Sequence, residues 1–294
     1  MKKVILFTLA ALLLSVPFSH AQELRAYRVY NGKGKAVSFA KMIKKLSRYD
    51  IILFGELHNN SINHWLELKT AEALYRQTGG NLMLGAEMFE RDNQDAINRY
   101  LDGRTDSHQL AEEARLWPNF KTDYQPLLDF TRQHHLQFVA TNIPRRYAAI
   151  VAKYGMDSLN KLPDTEKKYM ARLPVKVDLA TPGYKEMEAL MKEHAGDKVM
   201  NFISAQAVKD ATMAESIDNS RKKGVVFLHI NGNYHSKEHG GIYWYLVKEK
   251  KWLQSLKVAV ISVDLSDSDR LTLPGGAHLT EFNIVLPENM TATY

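Results

Sequence analysis

Short, unbroken apolar runs alternate along this chain with longer amphipathic stretches, and that alternation restricts it to one kind of fold. Ile51-Ile52-Leu53-Phe54, residues 82–87, Phe138-Val139-Ala140-Thr141, residues 225–230 and residues 258–263 read as strands, with Phe282-Asn283-Ile284-Val285 as a sixth. Their apolarity is continuous rather than alternating, as expected of strands covered on both faces. Residues 60–78 read as a helix stopped by Gly79-Gly80. Further helices are expected over 94–100, 108–116 and 124–135, the last with Pro126 near its first turn. Strands separated by helices need crossover connections. The expected fold is α/β, a mainly parallel sheet flanked by helices.

The interval between the third and fourth strands is too long for one crossover helix. Residues 144–223 carry Met156, Met170, Met187, Met191, Met200 and Met213, several tyrosines and no strand pattern. They read as a helical insertion or cap that returns through a long helix over 197–222, leaving 22–143 and 224–294 as the α/β core domain. Methionine suits an irregular apolar pocket, and it suits an ordinary helical core as well.

The first 21 residues read as a secretory signal peptide. Lys2 and Lys3 precede a continuous apolar run over 4–18, and Ser19-His20-Ala21 puts small residues where a signal peptidase reads them. The apolar run is short for a bilayer span. A periplasmic or secreted protein starting at Gln22 is expected. The chain has no cysteine, so disulfides, thiolate metal sites and direct lipid attachment at a cysteine are all excluded. Any metal or haem iron must be held by His, Tyr, Met or carboxylate. The net charge of +6, two units of it from Lys2 and Lys3, is mildly basic. It favours anionic small molecules or an anionic membrane face. No basic stripe interleaved with aromatics is present, so no nucleic-acid partner is expected.

The chemistry-bearing residues fall where the strands stop. Glu56 and His58 follow the first strand, Glu87 closes the second, and Asn142 and Pro144-Arg145 follow the third. His229, Asn231 and Gly232 end the fourth, with His235 just beyond. In an open parallel sheet ligands bind outside the carboxyl ends of the strands, so these groups should share one crevice. Two chemistries are open. Glu56, His58 and His229 could hold a divalent metal. Alternatively Glu56 or Glu87 could act as a base with a histidine orienting the substrate, giving a hydrolytic set of Glu56, His58, Glu87 and His235.

An ordered set of segments resembles the ChaN-like haem-binding family, within the Tiki, TraB and erythromycin-esterase-like superfamily. The segments are Gly55-Glu56-Leu57-His58-Asn59, Gly85-Ala86-Glu87-Met88-Phe89, Trp117 with Tyr124-Gln125-Pro126, and Asn142-Ile143-Pro144-Arg145. Two more are Gln206-Ala207-Val208-Lys209-Asp210-Ala211-Thr212-Met213-Ala214 and Asn231-Gly232-Asn233-Tyr234-His235. The resemblance implies an α/β core with a smaller helical subdomain, in an iron-regulated, outer-membrane-associated protein. It also implies haem as the ligand, two haems stacked face to face in a homodimer, and an outer-membrane haem receptor as partner. It makes the insertion a haem clamp with tyrosine on the iron and a histidine assisting. Tyr184, after Pro182-Gly183 at an expected helix start, then leads Tyr154 and Tyr169 as iron ligand. His194 is the local histidine, and Arg145, Arg146 and Lys209 are the cations for the propionates. Many members of the family carry a lipid anchor, which this chain cannot. Two functions result: haem binding for uptake or storage, or an esterase- or peptidase-like hydrolase in the strand-end crevice.

Overall fold

The computed structural model describes residues 24–249 and 255–292, without the side chains of residues 193–195 and 197. The segment read as a signal peptide lies outside the described residues. The chain begins with β1 (Arg28–Asn31), β2 (Ala36–Val37), α1 (Phe39–Leu46), β3 (Ile51–Glu56), α2 (Ser61–Gln77) and β4 (Leu82–Glu90). Next come α3 (Gln94–Leu101), α4 (Ser107–Glu113), α5 (Gln125–Gln133), β5 (Phe138–Asn142) and α6 (Arg145–Tyr154). The rest comprises α7 (Asp164–Lys167), α8 (Tyr184–Ala195), α9 (Val199–Ser220), β6 (Val226–Gly232), the single turn α10 (Gly241–Tyr243), β7 (Val258–Ser266) and β8 (Phe282–Pro287).

Eight strands form one sheet in the order β2-β1-β8-β7-β3-β6-β4-β5. The six strands from β8 to β5 run parallel; β1 is antiparallel to both β8 and β2. The fold is therefore α/β with a mainly parallel sheet, as the alternating pattern requires. The β1–β2 hairpin and α1 carry no long apolar run, and the pattern did not reveal them.

Strand parity divides the core in two. Ile52, Phe54, Leu84, Ala86, Leu228 and Ile230 face α1, α2, α3 and α5. Ile51, Leu53, Met83, Phe227, Val258 and Val260 face α6, α8 and α9. Residues 144–223 thus supply most of the helical layer of one face, completed by Ile242, Tyr245 and Leu246, with α9 lying along β5 and α6 along α9. Full burial of a side chain such as Leu53 contributes roughly 1.5–3 kcal/mol. Close packing limits substitution: a Cβ on Gly85 would lie 2.9 Å from the Phe227 ring.

Three local devices shape the carboxyl edge. Asn60 caps α2 by accepting from the Asn63 N–H at 3.1 Å, which fixes where that helix starts after β3. The register of β4 shifts against β5 between Ala86 and Glu90, and such irregularities re-aim side chains at the end of a strand. Asn233 donates to the Val263 carbonyl and accepts from the Val263 N–H, at 2.9 and 3.1 Å. This ties the turn after β6 to β7. On the far flank, the Gln94 side chain donates to the Phe138 carbonyl at 3.0 Å and accepts from the Ala140 N–H at 2.7 Å. It occupies the outer hydrogen-bonding groups of β5.

Candidate functional site at the carboxyl edge

Glu56 is the last residue of β3 and lies on the face covered by α2 and α5. Its Oε1 accepts from Tyr124 Oη at 2.7 Å and meets His58 Nδ1 at 2.6 Å. The period of two thus keeps Glu56 and His58 on one side, as expected. Burial opposes charge on the His58 ring. The Glu56 hydrogen bond and the charge of Glu87 nevertheless raise its pKa. The His58 side chain is 36% exposed, whereas that of Glu56 is fully covered.

Glu87 approaches the same edge from the opposite face. Its Oε2 accepts from the Gly232 N–H at 2.7 Å, and its Oε1 lies 3.1 Å from His235 Nε2. His235 Nδ1 reaches Asp210 on α9 at 2.5 Å, and Asp210 accepts from the Tyr184 hydroxyl at 2.7 Å. Burial works against an imidazolium here, but Glu87 and Asp210 together raise the His235 pKa to about 10. Burial likewise pushes the Glu87 carboxyl up, and the His235 charge overrides it to hold Glu87 well below the usual carboxylate range. Asp210 is shifted upward by its complete burial.

The two halves meet over Gly232. A Cβ there would lie 2.7 Å from His58 Cε1 and Nε2 and 3.3 Å from Glu87 Oε2. The absence of a side chain at this position lets the His58 ring and the Glu87 carboxylate come together. Two polar chains result, Tyr124–Glu56–His58 and Glu87–His235–Asp210–Tyr184, which approach each other across Gly232. Glu56, His58, Glu87 and His235 are therefore gathered on one rim, although from opposite faces of the sheet.

Several expected residues sit elsewhere. His229 is fully buried between the sheet and α9, with Nε2 2.8 Å from Thr141 Oγ1 and Nδ1 3.1 Å from Asn231 Oδ1. Both ring nitrogens are engaged and burial lowers its pKa to about 4. His229 does not join Glu56 and His58 in a metal trio. Tyr184 is 2% exposed, and its hydroxyl is committed to Asp210, so its oxygen faces the interior. Tyr154 is exposed at the end of α6, with the Lys153 ammonium 4.9 Å from its ring centre. Tyr169 is half-buried beneath Lys168. Arg146 is engaged by Asp92 at 2.5 Å and by the Tyr147 hydroxyl. The side chain of His194 lies outside the described residues.

Arg145 and Lys209 do come together. They line one cleft of about 320 Å³ between α6, α8 and α9, with Ala148, Ala152, Met187, Met191 and Phe202 as its apolar walls. Neither cation is held in a salt bridge among the described residues. Gln206 also lines the cleft, and its amide lies 3.0 Å from His235 Nδ1. The cleft and the strand-end chain therefore share a wall.

A second buried cluster was not expected from the sequence. His64 and Glu67 on α2 lie on the free side of Glu56, with Asp123 from the π-helical turn Phe120–Tyr124 behind His64. Glu56, His64 and Glu67 each offer a ligand atom, and these atoms all lie within 4.8 Å of one another. Burial and the neighbouring charge of Glu56 raise the Glu67 carboxyl to about 8. The available signal was Asn63-His64-Glu67 at helical spacing directly after the Gly-Glu-Leu-His turn.

A sequence profile of the haem-binding uptake family (Tiki superfamily, ChaN) matches residues 42–246. Among solved structures, ChaN of Campylobacter jejuni, described with cofacial haem binding, superimposes with a TM-score of 0.66 at 16% identity. The match covers 88% of this chain and 96% of that one. An erythromycin esterase variant in its open conformation gives a TM-score of 0.47 at 11% identity, over 90% of this chain and 83% of that one. A curated relative, the chloroplastic Protein RETICULATA-RELATED 5 of Arabidopsis thaliana, is 28% identical over 124 residues. That alignment takes in 40% of this chain and only 17% of the plant protein.

Proposed function

This chain belongs to the haem-binding uptake family of the Tiki superfamily, the ChaN family, and on that premise we propose that it is an exported protein of haem and iron uptake or storage that holds haem between α6, α8 and α9. The observation that carries this reading is the cleft itself. A porphyrin needs a slot with apolar walls and cations at one end for its propionates. Ala148 and Ala152 give α6 a flat wall, while Met187, Met191 and Phe202 oppose it. Methionine adapts to a flat ring without a fixed shape of its own. Arg145 and Lys209 supply the charge.

Apolar residues continue outward from the cleft. Leu190 on α8 and Met200 and Phe202 on α9 are 64%, 42% and 36% exposed. An exposed apolar rim of this kind favours contact with a second copy, consistent with a homodimer enclosing haem. The C. jejuni relative is described with cofacial haem, and a face-to-face pair of rings is the arrangement we propose here. Export rests on the leader pattern of residues 1–21, placing the protein in the periplasm or outside the cell. An outer-membrane haem receptor is the partner that fits such a carrier. Titration of the purified protein with haemin tests the reading. A saturable Soret band with sedimentation as a haem-bound dimer is expected. A spectrum that remains that of free haemin would refute it.

A hydrolytic role for the strand-end chain is a second reading, motivated by the partly exposed His58 ring bonded to Glu56. With its pKa raised, His58 would act there as a general acid, donating to a leaving group. An esterase and peptidase screen compares the protein with Glu56→Gln. Turnover abolished by the substitution supports this reading, and turnover indifferent to it removes the reading.

A further inference from the structure

The buried cluster on the α2 side of Glu56 adds His64, Glu67 and Asp123, which neither reading uses. Each of its side chains is held from outside and turned inward. Glu56 Oε1 is occupied by Tyr124 and His58. Glu67 Oε1 accepts from Asn63 Nδ2 at 2.5 Å. His64 Nε2 faces two acceptors, the His58 carbonyl at 3.1 Å and Asp123 Oδ2 at 3.4 Å, so this nitrogen carries a proton. Asp123 is itself held by Asn119 Nδ2 at 2.7 Å.

Three inner atoms face one another, with His64 Nδ1 and Glu67 Oε2 in hydrogen-bond contact. His64 Nδ1 lies 3.3 Å from Glu67 Oε2 and 3.9 Å from Glu56 Oε2. Glu56 is 2% exposed, and its Oε2 has no hydrogen-bond partner. A buried carboxylate oxygen without a donor is stabilised by a cation that meets it. Two ligand atoms that are each about 2.1 Å from one tetrahedral ion stand about 3.4 Å apart, so the two separations from His64 Nδ1 need little closing, and all three atoms lie within 4.8 Å of one another. The ring orientation also fits, because a metal-bound histidine donates its other N–H to a carbonyl or carboxylate.

We propose that Glu56 Oε2, His64 Nδ1 and Glu67 Oε2 form a binding site for one first-row divalent cation. One imidazole and two carboxylates suit zinc, manganese or ferrous iron. The two carboxylate charges balance the ion, and three protein ligands are one short of a closed tetrahedral site. The site lies on the face of the sheet opposite the haem cleft and does not depend on the haem reading.

The test uses untagged, haem-free protein, stripped with EDTA, dialysed, and titrated with zinc chloride by calorimetry, with metal content per chain measured by mass spectrometry. One zinc per chain is expected, with affinity at least tenfold weaker in Glu67→Gln and in His64→Gln. His108→Ala, at an exposed position, should bind as the parent does. Zinc should raise the melting temperature of the parent and not that of Glu67→Gln, which separates lost binding from lost folding. X-ray absorption of the zinc form should show one imidazole in an otherwise oxygen shell. Absence of saturable uptake would mean that a shared proton holds the carboxylates, and would overturn the proposal. So would uptake unchanged in both variants, or a shell with two or more imidazoles. Haemin binding is measured separately and stands or falls on its own.

Discussion

The amide of Gln206 lies 3.0 Å from His235 Nδ1, so one side chain on α9 touches both the cleft and the polar chain at the strand ends. A ligand that displaces Gln206 from the cleft also alters the hydrogen bonding of His235. Haemin binding should therefore depend on this contact. Gln206→Leu is expected to keep the Soret band and to change its affinity only a few-fold. Haemin titration across pH 6–10 reads the coupling, which predicts a pH dependence of affinity in the parent that Gln206→Leu lacks.

The cations of the cleft can be tested singly. Arg145→Glu and Lys209→Glu should each weaken haemin binding about tenfold, the loss of roughly 1.4 kcal/mol of charge-assisted hydrogen bonding. Arg146→Glu should leave affinity within about twofold, because Arg146 is committed to Asp92. Equal effects at all three positions would mean that general surface charge, not the cleft, sets affinity.

Tyr184→Phe separates an iron ligand from a structural donor. Its hydroxyl bonds Asp210 and is buried. The substitution should leave the haemin spectrum unchanged and lower stability by about 1–3 kcal/mol, the cost of leaving a buried acceptor unsatisfied. Absorption spectra and denaturant unfolding of the same sample check both halves.

The buried Glu87–His235–Asp210 group should make stability pH-dependent in a specific direction. His235 has a folded pKa of about 10 against an ordinary 6.5. Its stabilisation is complete below pH 6.5 and is lost as pH rises toward 10. Glu87 is shifted the other way, so its contribution holds above its ordinary 4.5 and fades as pH falls below it. His229, lowered to about 4, adds a cost that grows as pH drops from 6.5 toward 4. The melting temperature should peak near pH 6–7. His235→Gln should cost about 3–5 kcal/mol at that optimum, because it strips a buried pair of its cation. It should also flatten the alkaline limb. Thermal melts from pH 4 to 10 measure both.

Gly232→Ala places a methyl group 2.7 Å from the His58 ring. Overpacking of this kind costs about 1–3 kcal/mol. The His58 Nε2 and Glu87 environments should separate, seen as a downward shift of the His58 pKa by NMR titration.

The strands and the carboxyl rim were legible because both rest on local pattern. Continuous apolar runs mark β3 to β7, and a parallel sheet delivers the residues after each run to one edge. The partners of that rim were less legible. The sequence marks residues 60–78 as a helix, but not that Asn63, His64, Glu67 and Thr70 are buried on it. A polar residue inside a helix betrays its burial only once its partner is known, and Glu56 comes from another element. Asp210 is similar: it sits in a quoted motif, but only the turn after β6 brings His235 to it. Tyr184 was drawn toward haem by its place at a helix start. Its burial depends on Asp210, 26 residues on, a contact no local pattern encodes.

Gln94 pairs with β5 as a further peptide group would, and the opposite flank ends in a strand of two residues, Ala36–Val37. Neither margin offers a long free ladder to a neighbour, so the sheet resists growth by strand addition. A homodimer of the kind proposed would then use side chains on the helical layers and not the sheet margins. Contact through side chains, unlike a shared ladder of backbone hydrogen bonds, would leave its strength to whatever lies between the two surfaces.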